Sequence, residues 1–339
     1  MKVLVTGGLG LVGRSVVRRL VDRGYAVRVV DRQGGECIEG VECLPCDITN
    51  FSEVRDHTRG QEAIVHLAAI PHPGGAPAAD IFRINCSGTF NVYEAAAAEG
   101  IRRVSTASSI NWLGYYYGVK DFPIQYFPID EEHPGITTDV YSLSKQVTED
   151  IAAYYWRREG ISSTCLRMPA VIELADERFQ RMQEFLPKAQ AMVREWISMP
   201  EAERQARLSQ LLAKFSGLRT QRWLEISHEE RQRRGLDFTD PEVRLVSTRA
   251  NFWALIDARD AAQAFEKSLL ADFEGSQPLF VNDSHNSAGV DSEELVRVFF
   301  PEVTARRHPL VGNEALVSIE RARELIGFEP EHSFTPLKD

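Results

Sequence analysis

The sequence predicts an α/β fold built on a doubly wound parallel sheet, with a smaller, mostly helical C-terminal domain. Short β-branched runs alternate with amphipathic segments through the first half, as in a parallel sheet covered by helices on both faces. A glycine-rich turn follows the first of these runs, which is typical of a Rossmann-type sheet. Beyond residue 173 the composition becomes helical, and strand-like runs return from residue 251.

Six segments of the first half carry the strand pattern, and several are continuous apolar runs, as expected when both sheet faces are covered. They are 2–6, 26–31, 41–46, 62–68, 102–108 and 162–168. Helices are predicted between them, near 12–23, 51–58, 80–98 and 140–159. Later segments add strand-like runs at 251–257 and 277–283 and helices at 258–270 and within 318–330. A further helix is predicted to begin at Asp291, because Glu294 three residues on resembles a capping box.

The segment from Glu173 to Gly235 is predicted to be an inserted helical subdomain. Apolar residues recur there at helical spacing, with Arg and Glu between them. They include Leu208, Leu211, Leu212 and Phe215. The arginines of this segment, among them Arg231, Arg233 and Arg234, could bind an anionic substrate. Because glutamates are nearly as frequent, a solvated helix face is the better interpretation.

Two domains are therefore predicted, each assembled from separate stretches of chain. Residues 1–172, completed by 251–282, form the nucleotide-binding domain. Residues 173–250 and 283–339 form a substrate-binding domain that contains the helical insertion.

Composition narrows the class of protein. The chain has 339 residues, of which 43% are hydrophobic and 26% charged, and a net charge of -10. An acidic chain is a poor partner for nucleic acid, which needs a basic surface. The sequence offers no apolar stretch of membrane-spanning length, and it starts directly with a strand pattern rather than a signal peptide. We expect a cytoplasmic protein with a small-molecule substrate.

The cysteines and histidines do not predict a metal site. Five cysteines are thinly spread, and an odd number does not make a disulfide framework. Cys43 and Cys46 have the C-x-x-C spacing, but a zinc site needs a second pair of ligands and none follows at a suitable spacing. The histidines are scattered as well. We interpret the cysteines as small buried hydrophobes and predict no metal.

The glycine-rich stretch "TGGLGLVG", Thr6 to Gly13, predicts a dinucleotide site. A strand precedes it and an apolar helix follows, so its backbone can approach a pyrophosphate at the helix N-terminus. Asp31 ends the second strand, where a carboxylate binds the adenosine ribose hydroxyls and repels a 2'-phosphate. NAD is therefore favoured over NADP, although the neighbouring Arg32 would suit the phosphate. The alternative is a tight turn without a ligand.

A second candidate is the pair Tyr141 and Lys145 in "DVYSLSKQ", at the start of a predicted helix. Side chains at this spacing lie on one helix face and can act on the same atom. Any helix with this spacing would do the same, so the pair alone fits both a catalytic base with its cation and a packed ring beside a solvated charge.

Taken together, the motifs resemble the extended short-chain dehydrogenase/reductases, in the NAD-dependent epimerase/dehydratase branch. They stand in the family's order: "TGGLGLVG", "CDI" at 46–48, "HLAA" at 66–69, "RINCSGTFNVYEAA" at 83–96, "ASS" at 107–109 and "YSLSK" at 141–145. The resemblance covers residues 1–170 and resumes at 254–265 and 320–330, but it leaves out the helical insertion.

The resemblance implies a role for each matching position. Tyr141, Lys145 and Ser109 would form the catalytic set, with Ser108 as the alternative serine. The cofactor would contact Gly7, Gly10, Leu11, Val12, Gly13, Asp31, Arg32, Asp47, Ile48, Leu67, Ala68, Ala69, Asn85, Ala107, Tyr141, Lys145, Pro169 and Val171. The substrate would contact His72, Ser109, Asn111 and Trp112. His72 equally suits a flexible loop, and the nearby aromatic run that includes Tyr115 equally suits packing.

The residue types fit oxidation of a hydroxyl by hydride transfer. A tyrosine has a pKa of about 10, so a nearby ammonium and the positive nicotinamide must favour its phenolate. Dehydratases of the family usually have a Thr-Asp-Glu run where this chain has "SIN" at 109–111, so dehydration is not expected.

The same resemblance bears on the substrate. Ala170 occupies the position of a diphosphate-contacting Asn, which counts against a nucleotide sugar. The surrounding sequence is more similar to uronate dehydrogenases. We predict an NAD-dependent dehydrogenase of a sugar or sugar-acid-like substrate. A nucleotide-sugar epimerase is the runner-up, and a non-catalytic NAD sensor is a third hypothesis. A homodimer formed by the helices near 80–98 and 140–159 is also implied.

Overall fold

The computed structural model of the chain describes residues 1–38, 40–173, 177–226, 228–234 and 240–334. Its main sheet has eight strands in the order β10-β7-β6-β5-β1-β2-β4-β3. They are β1 (Lys2–Thr6), β2 (Ala26–Asp31), β3 (Gly35–Ile38), β4 (Val41–Pro45), β5 (Ala63–His66), β6 (Arg103–Ser109), β7 (Ser162–Met168) and β10 (Ser276–Phe280). Only the pair β3 and β4 is antiparallel, so the predicted doubly wound parallel sheet is confirmed.

Two short strands lie outside the main sheet, and twelve α-helices are described. The strands β8 (Ala170–Ile172) and β9 (Leu255–Asp257) pair in parallel. The helices are α1 (Leu11–Asp22), α2 (Phe51–Thr58), α3 (Ala78–Phe82), α4 (Gly88–Ala98), α5 (Val140–Glu159), α6 (Glu177–Ser198), α7 (Glu201–Thr220), α8 (His228–Arg233), α9 (Pro241–Ala250), α10 (Ala258–Leu270), α11 (Ser292–Phe299) and α12 (Glu320–Ile326). In the part of the chain that is described, no helix combines the length and apolar character that crossing a membrane requires.

The six strands predicted in the first half are present, and β3 is the strand that the sequence did not predict. It is an antiparallel edge strand of four residues, and Gly35 and Glu36 in it are exposed. A short half-exposed edge strand has neither a continuous apolar run nor a clear alternation, so its sequence carries little signal. The cysteines agree with their interpretation, because all five lie in the described part and are buried and unpaired.

The helix predicted near 80–98 is a continuous helical run with a π-helical turn at Arg83–Ser87 between α3 and α4. Asn85 lies in that turn. Its side-chain amide donates to the Ile70 carbonyl and to Ser144 Oγ, and its oxygen accepts from the Ile70 amide. The turn thereby ties the segment after β5 to helix α5.

Helix α5 begins and ends with recognisable caps. Asp139 Oδ1 accepts a hydrogen bond from the Ser142 amide at 2.8 Å, which satisfies a free N–H of the first turn. Gly160 ends the helix in the left-handed conformation, with φ of 66°. Since α5 packs against β6 and β7, its first turn carries Tyr141 to the carboxyl edge of the sheet.

In the described part of the predicted insertion, Glu173 to Gly235, the chain forms helices α6, α7 and α8, as the helical composition predicted. Helix α9 follows and packs against α6 and α7, so the four helices form one insertion. Leu208, Leu211 and Phe215 are buried, and they share one apolar core with residues from α9, α11 and the segment 110–129. On the surface, Arg233 and Arg234 pair with Glu230, as a solvated helix face would. The predicted insertion and tail also include 174–176, 227, 235–239 and 335–339, which lie outside the described residues.

Candidate functional site

A cavity of about 750 Å³ lies at the carboxyl edge of the main sheet, where α/β folds bind their ligands. The glycine turn after β1 forms one side, and the insertion helices form the other. Between them lie the ends of β5, β6 and β7 and the first turn of α5. The cavity therefore connects the predicted cofactor turn with the predicted catalytic pair.

The glycine turn fits a pyrophosphate because its backbone is closely packed and its helix begins at the cavity. A Cβ added to Gly7 would lie 2.6 Å from the Ala68 amide nitrogen, and one added to Gly13 would lie 2.2 Å from the Gly7 carbonyl oxygen. Both residues line the cavity with Gly10, Leu11 and Val12. Since α1 starts at Leu11, its free N–H groups favour an anion at this point.

Asp31 lies beside this turn at the end of β2. Its Oδ2 accepts from the Leu9 amide at 3.1 Å, and its Oδ1 accepts from the Arg32 amide at 2.7 Å. These bonds fix a half-buried carboxylate next to the glycine turn, which suits a ribose diol. The side chain of Arg32 is exposed, and neither residue lines the cavity itself.

Asp47 and Ile48, two of the predicted cofactor residues, also lie outside the cavity. The exposed Asp47 accepts at Oδ1 from the amide and hydroxyl of Thr49, and the first of these bonds is the main cause that lowers the pKa of its carboxyl group. Ile48 is buried, and a Cβ on Gly88 would lie 2.4 Å from its Cδ1. The pair therefore sits at the edge of the sheet between β4 and α4.

The other predicted cofactor positions divide into two groups. Five of them line the cavity: Leu67, Ala69, Ala107, Pro169 and Val171. The backbone of Ala68 instead packs against Gly7, and the side-chain amide group of the buried Asn85 is hydrogen-bonded to Ile70 and Ser144. Ala68 and Asn85 support the wall of the site rather than line it.

Tyr141, Ser109 and Lys145 meet at the floor of the cavity. The Ser109 hydroxyl lies within hydrogen-bonding reach of the Tyr141 phenol and lowers its pKa, but burial dominates and raises that pKa to about 12. Tyr117 packs perpendicular to the Tyr141 ring, with centroids 5.5 Å apart. A buried phenol of this kind needs a nearby positive charge before it can act as a base at neutral pH.

Lys145 is the nearest cation to Tyr141 among the residues that line the cavity. Its Nζ donates to the Ala107 carbonyl at 2.8 Å and lies 5.7 Å from the Tyr141 ring centroid. Burial lowers its pKa to about 8. The ammonium therefore remains at neutral pH next to the ring, and in the described part of the chain it forms no ion pair with a carboxylate.

The two candidate serines differ in their partners. Ser108 Oγ donates to Glu149 Oε1 at 2.6 Å, so its hydroxyl proton is already used. Ser109 Oγ accepts from the Asn111 amide at 3.1 Å and keeps its own proton for another acceptor. Of the two, Ser109 is the serine that the structure brings to Tyr141.

The predicted substrate residues are not all on the cavity. His72 and Asn111 line it, and Asn111 Oδ1 is buried with no hydrogen-bond partner among the described residues. Trp112 does not line it, because its ring packs on the guanidinium of Arg167 at 3.6 Å. Tyr115 is buried in the core, stacked on Phe252.

Sequence reasoning missed most of the residues that line the cavity away from the glycine turn. The cavity is also lined by Tyr116, Tyr117, Phe185, Leu186, Ala189, Ser247, Thr248, Asn251, Trp253, Ser287 and Ala288. Only the aromatic run at 115–117 offered a signal, and the structure divides it between core and cavity. The other residues come from the insertion and from segments near the two-stranded sheet of β8 and β9, where the sequence contains no recognised motif.

The chain is similar in sequence to known dehydrogenases and epimerases. A model of the NAD dependent epimerase/dehydratase family matches residues 3–195. An L-arabinose 1-dehydrogenase (NAD(P)(+)) of Haloferax volcanii is 29% identical over 208 residues, which are 60% of this chain and 79% of that protein. A uronate dehydrogenase of Pseudomonas putida is 31% identical over 171 residues, which are 49% of this chain and 60% of that protein.

A UDP-glucose 4-epimerase of Bos taurus is 31% identical over 172 residues, but the match spans only 47% of that protein. Solved structures share the fold across 98% of this chain. A UDP-glucose 4-epimerase from Thermotoga maritima has a TM-score of 0.61 at 19% identity, with 94% of its chain covered. A short-chain dehydrogenase/reductase superfamily protein from Agrobacterium tumefaciens with bound NAD has a TM-score of 0.59 at 20% identity, also with 94% covered.

The family match covers more than half of the chain and includes the glycine turn and the Tyr141–Lys145 helix. The family is NAD-dependent, so NAD, the cofactor predicted from the sequence, is confirmed. The chain belongs to the NAD-dependent epimerase/dehydratase family.

Proposed function

We propose that the protein is an NAD-dependent dehydrogenase that oxidises a hydroxyl group of a small sugar or sugar acid, with Tyr141 as the base. The observation that carries this proposal is the buried cluster of Tyr141, Ser109 and Lys145 at the floor of one cavity that also contains the glycine turn. A non-catalytic NAD sensor would have no need for this cluster.

Each residue of the cluster has a defined task. Tyr141 takes the proton of the substrate hydroxyl, and Ser109 donates a hydrogen bond to the same oxygen. Lys145 supplies a positive charge that lowers the cost of the phenolate, which burial otherwise disfavours. Bound NAD supplies the hydride acceptor.

The walls of the cavity suit a polyhydroxylated substrate. Ser247, Thr248 and Asn251 line the insertion side. Their donor groups bond to the Tyr116 hydroxyl and to the carbonyls of Arg244 and Ala254, so these side chains present oxygen acceptors to a substrate. Across the cavity, Asn111 Oδ1 has no hydrogen-bond partner among the described residues and can accept a hydrogen bond from a substrate hydroxyl. A buried acceptor without a partner costs free energy, which a bound sugar would recover.

Dehydrogenation is favoured over epimerisation by the extent of the matches. The arabinose dehydrogenase is covered over 79% of its length, and the UDP-glucose 4-epimerase over less than half. Epimerisation of a nucleotide sugar remains the second candidate, because several proteins of the same fold are UDP-sugar epimerases.

The test is a screen of free sugars, sugar acids and nucleotide sugars with NAD, following NADH absorbance and the isomers formed. Net NADH production supports a dehydrogenase. Isomerisation without net NADH would identify an epimerase and refute the first candidate. The variant Tyr141→Phe should lose about 10²- to 10⁴-fold in kcat while still binding NADH. Retained turnover would exclude Tyr141 as the base.

We also propose that the protein forms a homodimer through α4 and α5. Phe90 on α4 is 41% exposed, and Leu143 and Tyr154 on α5 are 41% and 39% exposed. Leu143 and Tyr154 are three helical turns apart, so they lie on the same face of α5. Light scattering should give a dimer mass, and Leu143→Glu with Tyr154→Glu should give a monomer. A wild-type monomer would contradict this proposal.

A further inference from the structure

Arg219 connects the insertion to the loop that precedes the catalytic helix. It lies near the end of α7, and its side chain is 2% exposed. Its Nε donates to the Gly118 carbonyl at 2.5 Å, and its Nη2 donates to the Tyr115 carbonyl at 2.6 Å and to the Lys120 carbonyl at 3.3 Å. It also forms an ion pair with Asp121. One guanidinium thus holds four acceptors of the segment 115–121.

That segment forms a wall of the cavity beside Tyr141. Tyr116 and Tyr117 both line the cavity, and their ring centroids are 4.8 Å apart. Tyr117 in turn packs perpendicular to the Tyr141 ring. The packing of Tyr117 on the Tyr141 ring therefore depends on the position of the segment 115–121.

The loop is also packed tightly against the residues that lead into α5. A Cβ added to Gly118 would lie 2.5 Å from the Gly114 carbonyl oxygen and 2.7 Å from Thr138 Oγ1. Arg219 hydrogen-bonds the Gly118 carbonyl at this same point. Loss of that hydrogen bond would therefore loosen the packing of Gly118 against Thr138, which lies just before α5 begins.

Arg219 acts on the cap of that helix through its charge. The buried Asp139 caps α5 two residues before Tyr141. Burial raises the pKa of Asp139, and hydrogen bonds from Ser142 and the Tyr141 amide oppose that rise. The charge of Arg219 adds a smaller contribution in the same direction as these hydrogen bonds.

We propose that Arg219 is a positioning residue for the reaction, which holds the segment 115–121 and thereby fixes Tyr117 against Tyr141. This inference rests on the proposed function, because it concerns the geometry of the proposed base. It gives the helical insertion a role in the site, because the insertion supplies the arginine that holds the segment 115–121 in place. Misplacement of a reacting group by about 1 Å can cost about 10²-fold in rate.

Arg204 provides a matched control. It lies on the same helix, α7, and is 7% exposed. Its Nη1 donates to the carbonyls of Ile197 and Met199, and in the described part of the chain its hydrogen bonds stay within the insertion. Replacement of either arginine removes a buried guanidinium from α7, but of the two only Arg219 contacts the segment 115–121.

The experiment compares Arg219→Ala and Arg219→Lys with Arg204→Ala and Arg204→Lys. Hydrogen exchange of amides 114–121 and 139–145, thermal unfolding, NADH affinity, kcat and KM are measured for each. Both alanine variants should be less stable. Only Arg219→Ala should show faster exchange in the two segments and a kcat lower by about 10²-fold, with NADH affinity unchanged. Arg219→Lys, which retains one donor group, should fall between Arg219→Ala and wild type.

Equal effects of the Arg219 and Arg204 variants on exchange and kcat would overturn the proposal. If Arg219→Ala does not fold, Asp121→Asn removes only the ion pair at the exposed end of the loop. It should accelerate exchange in 114–121, and unchanged exchange would count against the proposal. A wild-type enzyme without turnover refutes the proposed function alone, because the exchange comparison does not depend on activity.

Discussion

Glu149 of α5 and Arg167 of β7 form a two-point ion pair inside the protein. Arg167 Nε lies 3.0 Å from Glu149 Oε1, and Nη2 lies 2.8 Å from Oε2. The side chains are 9% and 2% exposed. Ser108 donates to the same carboxylate, and Trp112 covers the guanidinium. The pair thereby joins α5, β6 and β7, and two of these elements carry Tyr141, Lys145 and Ser109.

The first prediction concerns this ion pair. Glu149→Gln leaves the buried Arg167 charge without its ion-pair partner, so we expect the free energy of unfolding to fall by about 3–5 kcal/mol. Denaturant unfolding measures this change. The exposed pair Arg59–Asp56 is the control, since Asp56→Asn should change stability by less than about 1 kcal/mol. Similar small effects of both variants would show that the buried pair contributes little.

The second prediction concerns the glycine turn. In Gly13→Ala the new Cβ would lie 2.2 Å from the Gly7 carbonyl oxygen, and backbone must move to accept it. We expect a stability loss of about 1–3 kcal/mol and an NADH affinity lower by about tenfold or more. Gly217→Ala is the matched control, because nothing lies within 4 Å of its added Cβ. It should stabilise α7 slightly and leave NADH binding intact. Unchanged NADH affinity in Gly13→Ala would argue against the turn as the pyrophosphate site.

The third prediction is a pH dependence of stability that arises from Lys145. Its pKa falls from 10.5 to about 8 on burial, so between these values the unfolded chain binds more protons than the folded one. The cost of burying the ammonium is fully present below pH 8 and is relieved as the pH rises toward 10.5. Relative to Lys145→Met, the wild type should gain about 3 kcal/mol over this range in the absence of NAD. Denaturant unfolding at several pH values tests this, and parallel curves for the two proteins would contradict it.

The fourth prediction concerns the choice between NAD and NADP. Asp31→Asn keeps an oxygen that can accept from the Leu9 amide but removes the charge that repels a 2'-phosphate. Because Arg32 lies next to it, we expect the ratio of NADPH to NADH affinity to rise by about tenfold or more. Fluorescence titration with both nucleotides measures the ratio. Asp22→Asn, at the far end of α1, should leave the ratio unchanged. An unchanged ratio in Asp31→Asn would place the ribose elsewhere.

The nucleotide-binding half of the molecule could be predicted from the sequence because its signals are local. The turn at 6–13 needs glycines where the backbone packs on itself, and buried parallel strands need continuous apolar runs. Tyr141 and Lys145 lie one helical turn apart, so their shared face follows from helix geometry. Strand β3 was missed because a short, half-exposed edge strand has little pattern.

The sequence by itself determined the sheet and the glycine turn, and it predicted Tyr141, Lys145 and Ser109 as the cluster that we propose to be catalytic. The tertiary structure decided which serine meets Tyr141, because the Glu149 carboxylate that occupies Ser108 comes from another element. It also moved Trp112 away from the cavity by packing it on Arg167, and it brought Arg219 to a loop about a hundred residues earlier in the chain. Such contacts join residues that are distant in sequence, so spacing along the chain carries no record of them.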